Sequence, residues 1–175
     1  MSTRTLTLTA MLAAICCILG PVTLPIGPVP LSLTTGVLMS IAMILGARRA
    51  SLCCGLYMAL GLLGIPVFSG FTGGLGVLLG PTGGFLLAYL PLTAWCGFAC
   101  ARTSNRWWQA LALIAGTLLL YAAGTLWYAR LTGTSLAAAL TVCALPFLPG
   151  DSLKIAAVVI SGNSIKARLH KAGVL

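Results

Sequence analysis

Six long apolar segments, separated by short polar or Gly/Pro-rich breaks, constrain the fold of this 175-residue chain. They cover residues 6–24, 31–45, 50–67, 83–101, 110–128 and 137–162. A helix needs about 20 mainly apolar residues to cross a bilayer. Only 6% of the residues are charged, where a soluble domain has roughly 25%, so most of the surface must face lipid. The sequence predicts an all-α integral membrane protein, one domain of six transmembrane helices over residues 1–175.

The basic residues predict the orientation of these spans. They precede the first span, join the second to the third and the fourth to the fifth, and follow the sixth, at Arg4, Arg48, Arg49, Arg102, Arg106, Lys166, Arg168 and Lys171. Basic loops stay in the cytoplasm, so both termini are predicted there. At the ends of the fifth span, Trp107, Trp108, Trp127 and Tyr128 are predicted to anchor the helix at the two membrane interfaces.

The near absence of acidic residues and histidine excludes several classes of function. Asp151 is the single acid and His170 the single histidine, so no carboxylate pair, two-metal site or His-rich zinc site can form. The chain has no P-loop and should not hydrolyse ATP itself. Its seven cysteines lie in apolar spans without a C-x-x-C motif and are predicted to be free packing residues. The basic residues form no single soluble face for nucleic acid.

Two segments break the pattern of plain membrane helices. Residues 20–30 hold four prolines and are predicted to form an extended outer loop. Residues 70–84 contain seven glycines and no charge, which indicates an irregular segment. Non-helical backbone at membrane depth is tolerated only where protein or a cavity surrounds it. We therefore favour a ligand-lining loop over a flexible connection.

The last apolar segment holds two charged residues at depth. A helix from Asp151 to Lys166 is about 22 Å long, which places Asp151 below the outer surface of a layer about 30 Å thick. Continued back to residue 136 the helix would be too long, so Pro146 and Pro149 should break it. Asp151 and Lys154 share a helix face. Charged residues at this depth indicate a functional site, although a helix cap or a purely structural pair is the alternative.

One carboxylate and one ammonium in an apolar pocket suit a small ligand with both polar and apolar parts. The glycine-rich segment, the proline-rich loop and the top of the last helix all end on the outer side, around these charges. Phe71, Phe85 and Tyr89 are predicted to cover the carbon skeleton of the ligand, with ordinary packing as the alternative.

Four stretches resemble the BioY family, the biotin-binding substrate (S) components of energy-coupling-factor vitamin transporters. They read GPVPLSL at 27–33, LGIPVF at 63–68, GGLGVLLGPTGGF at 73–85 and LPFLPGDSLK at 145–154. The resemblance implies a six-helix S component that captures biotin from the outer side of the bacterial cytoplasmic membrane. It further implies docking on a membrane T component with two ATPase subunits, which use ATP while the S component topples. No cofactor is implied for the chain itself.

The resemblance also implies roles for particular residues. Asp151 would accept ureido N–H bonds of biotin, while Lys154 would bind either the ureido carbonyl or the valerate carboxylate. Thr72, Gly73 and Gly74 occupy the loop contacts of the family. Thr34, which stands where the family commonly has Gln, is also predicted to contact the ligand, and Phe71 stands where a small residue is usual. Ala10 and Ala14 match the small-residue pattern with which S components meet the T component, and such spacing lets helices approach closely.

Three other functions remain as alternatives at this point. The first is an S component or solitary carrier for another small vitamin or thioether ligand. The second is an intramembrane enzyme, which one acid makes a poor fit. The third is a structural anchor without a ligand.

Overall fold

The structure, a computed structural model, describes residues 3–24 and 29–173. Its helices are α1 (Thr3–Leu19), α2 (Thr34–Leu45), α3 (Ala47–Leu62), α4 (Leu75–Leu79), α5 (Gly83–Ala101), α6 (Arg106–Thr132), α7 (Leu136–Cys143) and α8 (Leu148–Lys171). Two short strands, β1 (Thr23–Leu24) and β2 (Leu31–Ser32), pair as an antiparallel hairpin. The tip of the proline-rich loop, residues 25–28, lies outside the described residues.

The bundle is organised around α5. Helices α2, α3 and α6 pack against α5, α8 packs against α2 and α6, and α1 lies on α3 and α2 at the edge. Large apolar side chains are also exposed on the outward faces of the helices, among them Ile18, Leu153 and Ile160. Such an exposed apolar surface fits lipid as the surrounding solvent, and the chain is a multi-pass membrane protein.

Three helical segments are long and apolar enough to cross a membrane by length and composition. They are Gly83–Ala101, Arg106–Thr132 and Leu136–Leu169, while Leu6–Leu19 and Thr34–Leu45 are shorter apolar helices. The count of six crossings and the cytoplasmic position of both termini stay predictions.

The first and third predicted spans are longer than the helices observed. The sequence predicts the first at 6–24, but α1 ends at Leu19 and a turn leads into β1. It predicts the third at 50–67, but α3 ends at Leu62. The apolar sequence continues past both helix ends although the residues there are in mixed surroundings: Pro21 and Val67 are buried, while Leu63 is 82% exposed.

The turn between α2 and α3 is a single glycine. Gly46 has φ +75° and ψ 174°, a backbone conformation that side chains disfavour. Its N–H donates to the Ala42 carbonyl at 2.9 Å. The two helices therefore follow each other directly, and the arginines Arg48 and Arg49 begin α3 instead of forming a loop.

The last apolar segment is not one helix. Helix α7 ends at Cys143, a 3₁₀ turn spans Leu145–Phe147, and α8 begins at Leu148. The chain changes direction at Ala144 (φ −127°, ψ −54°), just before Pro146. Pro149 lies in the first turn of α8, where a backbone N–H has no acceptor within the helix, so the N–H that proline lacks is not missed. The break thus puts Asp151 in the first turn of a new helix.

Trp127 makes a contact within the protein besides the anchoring role predicted for it. Its ring is half-buried, and its Nε1–H donates to the Gly80 carbonyl at 3.0 Å. The ring therefore ties α6 to the end of α4 inside the protein. Trp107 and Trp108, in the first turn of α6, are largely exposed, as an interfacial position requires.

Candidate functional site

A cavity of about 330 Å³ lies among the β1–β2 hairpin, α2, α4, α5, α6 and α8. This volume is within the usual range for small-molecule sites. Its apolar walls include Val29, Leu31, Phe68, Val77, Phe85, Leu86, Tyr89, Leu120 and Phe147, and its polar groups include Ser32, Thr35, Ser69, Thr72, Thr82, Tyr121, Asp151 and Lys154. The cavity is therefore apolar overall, with charge concentrated at one place on its wall.

Asp151 is the charged centre of the wall, with only 5% of its surface exposed. Its Oδ1 accepts from Lys154 Nζ at 2.7 Å, one helical turn further along α8. Its Oδ2 accepts from the Tyr121 hydroxyl on α6 at 2.5 Å. The sequence predicted the shared face of Asp151 and Lys154, and the ion pair confirms that placement. A buried carboxylate needs such partners, because an unpaired charge there is strongly unfavourable.

Lys154 connects three elements of the fold. Besides Asp151, its Nζ donates to the Ser32 carbonyl of β2 at 2.6 Å and to Thr35 Oγ1 of α2 at 3.2 Å. The aliphatic stem of Lys154 lies against Gly36, where a Cβ atom would stand 3.4 Å from the lysine Cδ. An ammonium has three N–H donors, and all three have acceptors here. Lys154 therefore holds the hairpin and α2 against α8.

Thr34 lies behind the cavity wall and not in it. Its side chain is fully buried, its hydroxyl hydrogen-bonds with that of Ser32, and Thr34 Oγ1 donates to the Gly20 carbonyl at 3.2 Å. The Thr34 N–H also donates to Ser32 Oγ at 2.9 Å. Thr34 was predicted to contact the ligand, but the structure places it as a support that fixes Ser32 and the base of the hairpin.

The glycine-rich segment is not irregular throughout, because Leu75–Leu79 form α4. Thr72 lines the cavity, as predicted, and its carbonyl accepts from the Phe68 N–H at 2.9 Å. Gly73 and Gly74 do not line it. The Gly74 N–H donates to the Gly61 carbonyl at 2.7 Å. A Cβ atom on Gly73 would stand 2.5 Å from the Ile65 carbonyl oxygen, so Gly73 allows close packing on the end of α3.

Two of the three aromatic residues predicted to cover the ligand line the cavity. Phe85 and Tyr89 are buried and line the cavity. Phe71 lies outside the lining, with 69% of its surface exposed and a φ of +59°. The left-handed backbone at Phe71 turns its side chain away from the cavity. Phe71 does not line the cavity, and its contact with a ligand stays a prediction.

Three cavity aromatics were missed from the sequence, namely Phe68, Tyr121 and Phe147. Phe68 and Phe147 sit in apolar stretches that do not distinguish a cavity from ordinary packing. Tyr121 carried a usable signal, because a hydroxyl in the middle of a membrane span needs a polar partner.

Ala10 and Ala14 are both exposed on α1, one turn apart, and do not take part in the cavity. They lie on the side of α1 that also exposes Leu6 and Met11. This face is available for another helix, while the buried face of α1, with Ala13 and Cys16, packs into the bundle.

The helical bundle, its apolar outer surface and the apolar cavity with a buried ion pair on its wall define a membrane-embedded solute-binding protein. The model of the BioY family matches residues 1–171. The chain therefore belongs to the BioY family.

Curated relatives cover nearly the whole chain. Biotin transporter BioY2 of Lactococcus lactis subsp. cremoris (strain MG1363) is 39% identical over 94% of this chain and 92% of its own length. A probable biotin transporter BioY of Pyrococcus horikoshii (strain ATCC 700860) is 35% identical over 95% of this chain and 98% of its own. The fold resembles the crystal structure of the S component for biotin from an ECF-type ABC transporter, with a TM-score of 0.88 and 28% identity, covering 95% of both chains.

Proposed function

We propose that this chain binds biotin in the cavity and serves as the substrate-specificity subunit of an energy-coupling-factor vitamin importer. The observation that carries the proposal is the buried Asp151–Lys154 pair on the wall of an apolar cavity of ligand size. Biotin has a ureido group that donates and accepts hydrogen bonds, and an apolar thioether ring with a fatty chain. The cavity offers complementary groups for both parts. In this role the chain is a binding component and not an enzyme.

The ureido group is best placed against Asp151. A carboxylate has about four acceptor positions, and the two hydrogen bonds from Lys154 and Tyr121 leave some of them free. The three donors of Lys154 are already used within the protein. Asp151 can therefore accept one ureido N–H group while keeping its present hydrogen bonds, whereas a contact to Lys154 requires that one existing bond breaks.

The apolar part of biotin would lie along the aromatic walls. Phe85 and Tyr89 stand one turn apart on α5, and Phe68 and Phe147 approach from the loop after α3 and the 3₁₀ turn. Burial of apolar surface contributes roughly 25 cal/mol per Å², so these walls would supply much of the affinity. The charged centre would supply the selectivity.

Titration calorimetry of the purified protein with biotin tests the binding proposal. Asp151→Asn should weaken binding by about 1.5–3 kcal/mol, the range for a charge-assisted hydrogen bond. Ser161→Ala is the matched control, since Ser161 lies on the same helix but is exposed and hydrogen-bonds to the Ala157 carbonyl. Absence of binding at micromolar biotin would contradict the proposal, and a panel of other vitamins would then identify the ligand.

The orientation of biotin can be tested with its methyl ester, which keeps the ureido group and lacks the carboxylate. We expect the methyl ester to bind more weakly than biotin by the same factor in the native protein and in Lys154→Met. A clearly smaller loss in Lys154→Met would show that the carboxylate pairs with Lys154, and the ureido placement against Asp151 would be wrong.

For transport, the chain would dock on a T component that carries two ATPase subunits in the bacterial cytoplasmic membrane. The exposed Ala10 and Ala14 on α1 support this docking, because small residues let helices approach closely. Biotin uptake by cells should require the partners and should fall with Ala10→Leu and Ala14→Leu. Met11→Leu, also exposed on α1, is the control. Full uptake without partners would instead indicate a solitary carrier.

A further inference from the structure

A second cavity, of about 400 Å³, lies between α5 and α6 at the end of the bundle opposite to the first cavity. Its walls include Trp95 and Phe98 of α5 and Ala112 and Ala115 of α6. Alanines on α6 leave this space open where larger side chains would fill it. We call this space the α5–α6 groove. None of the residues that line the first cavity contribute to it.

The mouth of the α5–α6 groove is basic and aromatic. Arg102 follows the last residue of α5, and its guanidinium carbon lies 4.1 Å from the centre of the Phe98 ring. Trp108, in the first turn of α6, also lines the groove and is 63% exposed. Tryptophan and arginine at the end of a membrane helix are typical of the headgroup level.

Deeper in the groove the two helices are held together. Trp95 Nε1 donates to the Ala112 carbonyl at 3.0 Å, so the indole bridges α5 and α6. Trp95 precedes Arg102 by seven residues, which is about 10 Å along the helix. The groove therefore extends from a charged mouth into apolar walls at a depth that an acyl chain reaches.

The charge at the mouth has no acidic side chain within the protein. The sequence contains one acid, Asp151, and Lys154 already pairs with it. Arg102 therefore has no acidic side chain of the protein to pair with and can accept an anion from its surroundings. In a bilayer the available anions at this level are the phosphates of lipids.

We propose that the α5–α6 groove binds one anionic phospholipid, with an acyl chain between Trp95 and Ala115 and the phosphate on Arg102. The orientation predicted from the basic loops puts this lipid in the inner leaflet. The site is separate from biotin binding, and its proposal does not depend on biotin being the ligand. A bound lipid would fill the groove and hold α5 and α6 at their ends.

Native mass spectrometry of the full-length protein in detergent tests this proposal. The probes are phosphatidylglycerol and phosphatidylcholine with identical acyl chains, and glycerol 3-phosphate as the headgroup without chains. We expect retention of one phosphatidylglycerol, weaker binding of phosphatidylcholine and none of glycerol 3-phosphate. Equal binding of the two lipids, or binding of glycerol 3-phosphate as strong as that of phosphatidylglycerol, would overturn the proposal.

Variants with matched controls locate the site. Arg102→Gln should weaken phosphatidylglycerol binding about fivefold, as expected for one basic residue at an anionic surface. Arg48→Gln, exposed at the start of α3 on the side predicted to be cytoplasmic, should not. Ala115→Phe should block the groove, while Ala122→Phe on an exposed part of α6 should not. Equal effects of Arg102→Gln and Arg48→Gln would show general attraction and overturn the proposal. If Ala115→Phe does not fold, the two arginine variants decide.

Discussion

Helices α6 and α8 are joined by two polar pairs that look alike at first sight but differ in what they can do. The outer pair is Tyr121 with Asp151, at 2.5 Å. The inner pair is Gln109 with Asn163, whose amides exchange two hydrogen bonds of 3.2 Å and 2.8 Å. The helices run antiparallel, and the two pairs are twelve residues apart on each helix, about 18 Å at the α-helical rise.

The inner pair is neutral, and each amide donates one hydrogen bond to the other. Gln109 Nε2 also donates to the Thr103 carbonyl at 2.9 Å, so both of its N–H groups are used. No residue of this pair lines either cavity described above. The outer pair is charged, borders a cavity and keeps acceptor positions free. A buried polar pair is therefore not a sign of a binding site by itself; the sign is unused hydrogen-bonding capacity facing an open space.

The largest effect is expected where the outer pair is broken on one side. Asp151→Leu leaves the Lys154 ammonium buried without its anion and should destabilise the protein by about 3 kcal/mol, the lower end for a broken buried pair, because Ser32 and Thr35 still accept from Lys154. The double variant Asp151→Leu, Lys154→Leu should regain most of this stability and still bind no biotin. Thermal unfolding in detergent and calorimetry measure the two effects. Biotin binding by the double variant would show that the charges are only structural.

The next effect separates support from binding within the outer pair. Tyr121→Phe removes the hydroxyl that donates to Asp151 and should lower stability by about 1.5–3 kcal/mol, as for a hydrogen bond to a charged group. Biotin should bind more weakly than to the native protein, but more tightly than to Asp151→Asn, since the carboxylate remains. A loss as large as that of Asp151→Asn would mean that Tyr121 itself contacts the ligand.

The inner pair should affect stability without affecting the ligand. Asn163→Leu leaves the buried Gln109 amide without its partner and should destabilise the protein by about 1–3 kcal/mol. Gln109→Leu with Asn163→Leu should recover part of that loss, because two apolar groups replace two paired ones. Biotin affinity, measured in all variants, should stay within about twofold of the native value. A larger change in affinity would mean that the two pairs are coupled along α6 and α8.

The smallest effect is expected at the edge of the outer site. Phe71→Ala should leave biotin affinity within about twofold of the native value, because a side chain that is 69% exposed has little buried contact surface to lose. Phe85→Ala, in the buried wall, is the positive control and should weaken binding. A comparable loss with Phe71→Ala would show that the loop turns Phe71 over the ligand when biotin binds.

The sequence predicted the parts of the site that follow from helix periodicity and the avoidance of charge in lipid. The shared face of Asp151 and Lys154 and the position of Phe85 and Tyr89 on one helix are of this kind, while the depth of the charged pair in the membrane stays a prediction. Residues whose position depends on a tight turn were harder to place. Thr34 and Phe71 are near the site in sequence, but local backbone geometry directs Thr34 behind the wall and Phe71 outward.

Contacts between distant elements could not be predicted from one sequence. Tyr121 meets Asp151 across 30 positions, and Lys154 meets Ser32 across 122. Such pairs depend on how the helices cross, which hydrophobic pattern alone does not specify. Trp127 shows the same limit, since a residue at the end of a span is consistent with both an interfacial anchor and an internal contact to Gly80.

The two ties between α6 and α8 also restrict how the bundle can move. A displacement of one helix along the other by a single residue would separate both pairs at once, and rotation is opposed at two levels. These helices are thus expected to keep a fixed register and travel as one rigid body. An opening through which a solute reaches Asp151 would then have to come from the opposite wall, where the hairpin and the segment around α4 pack against them.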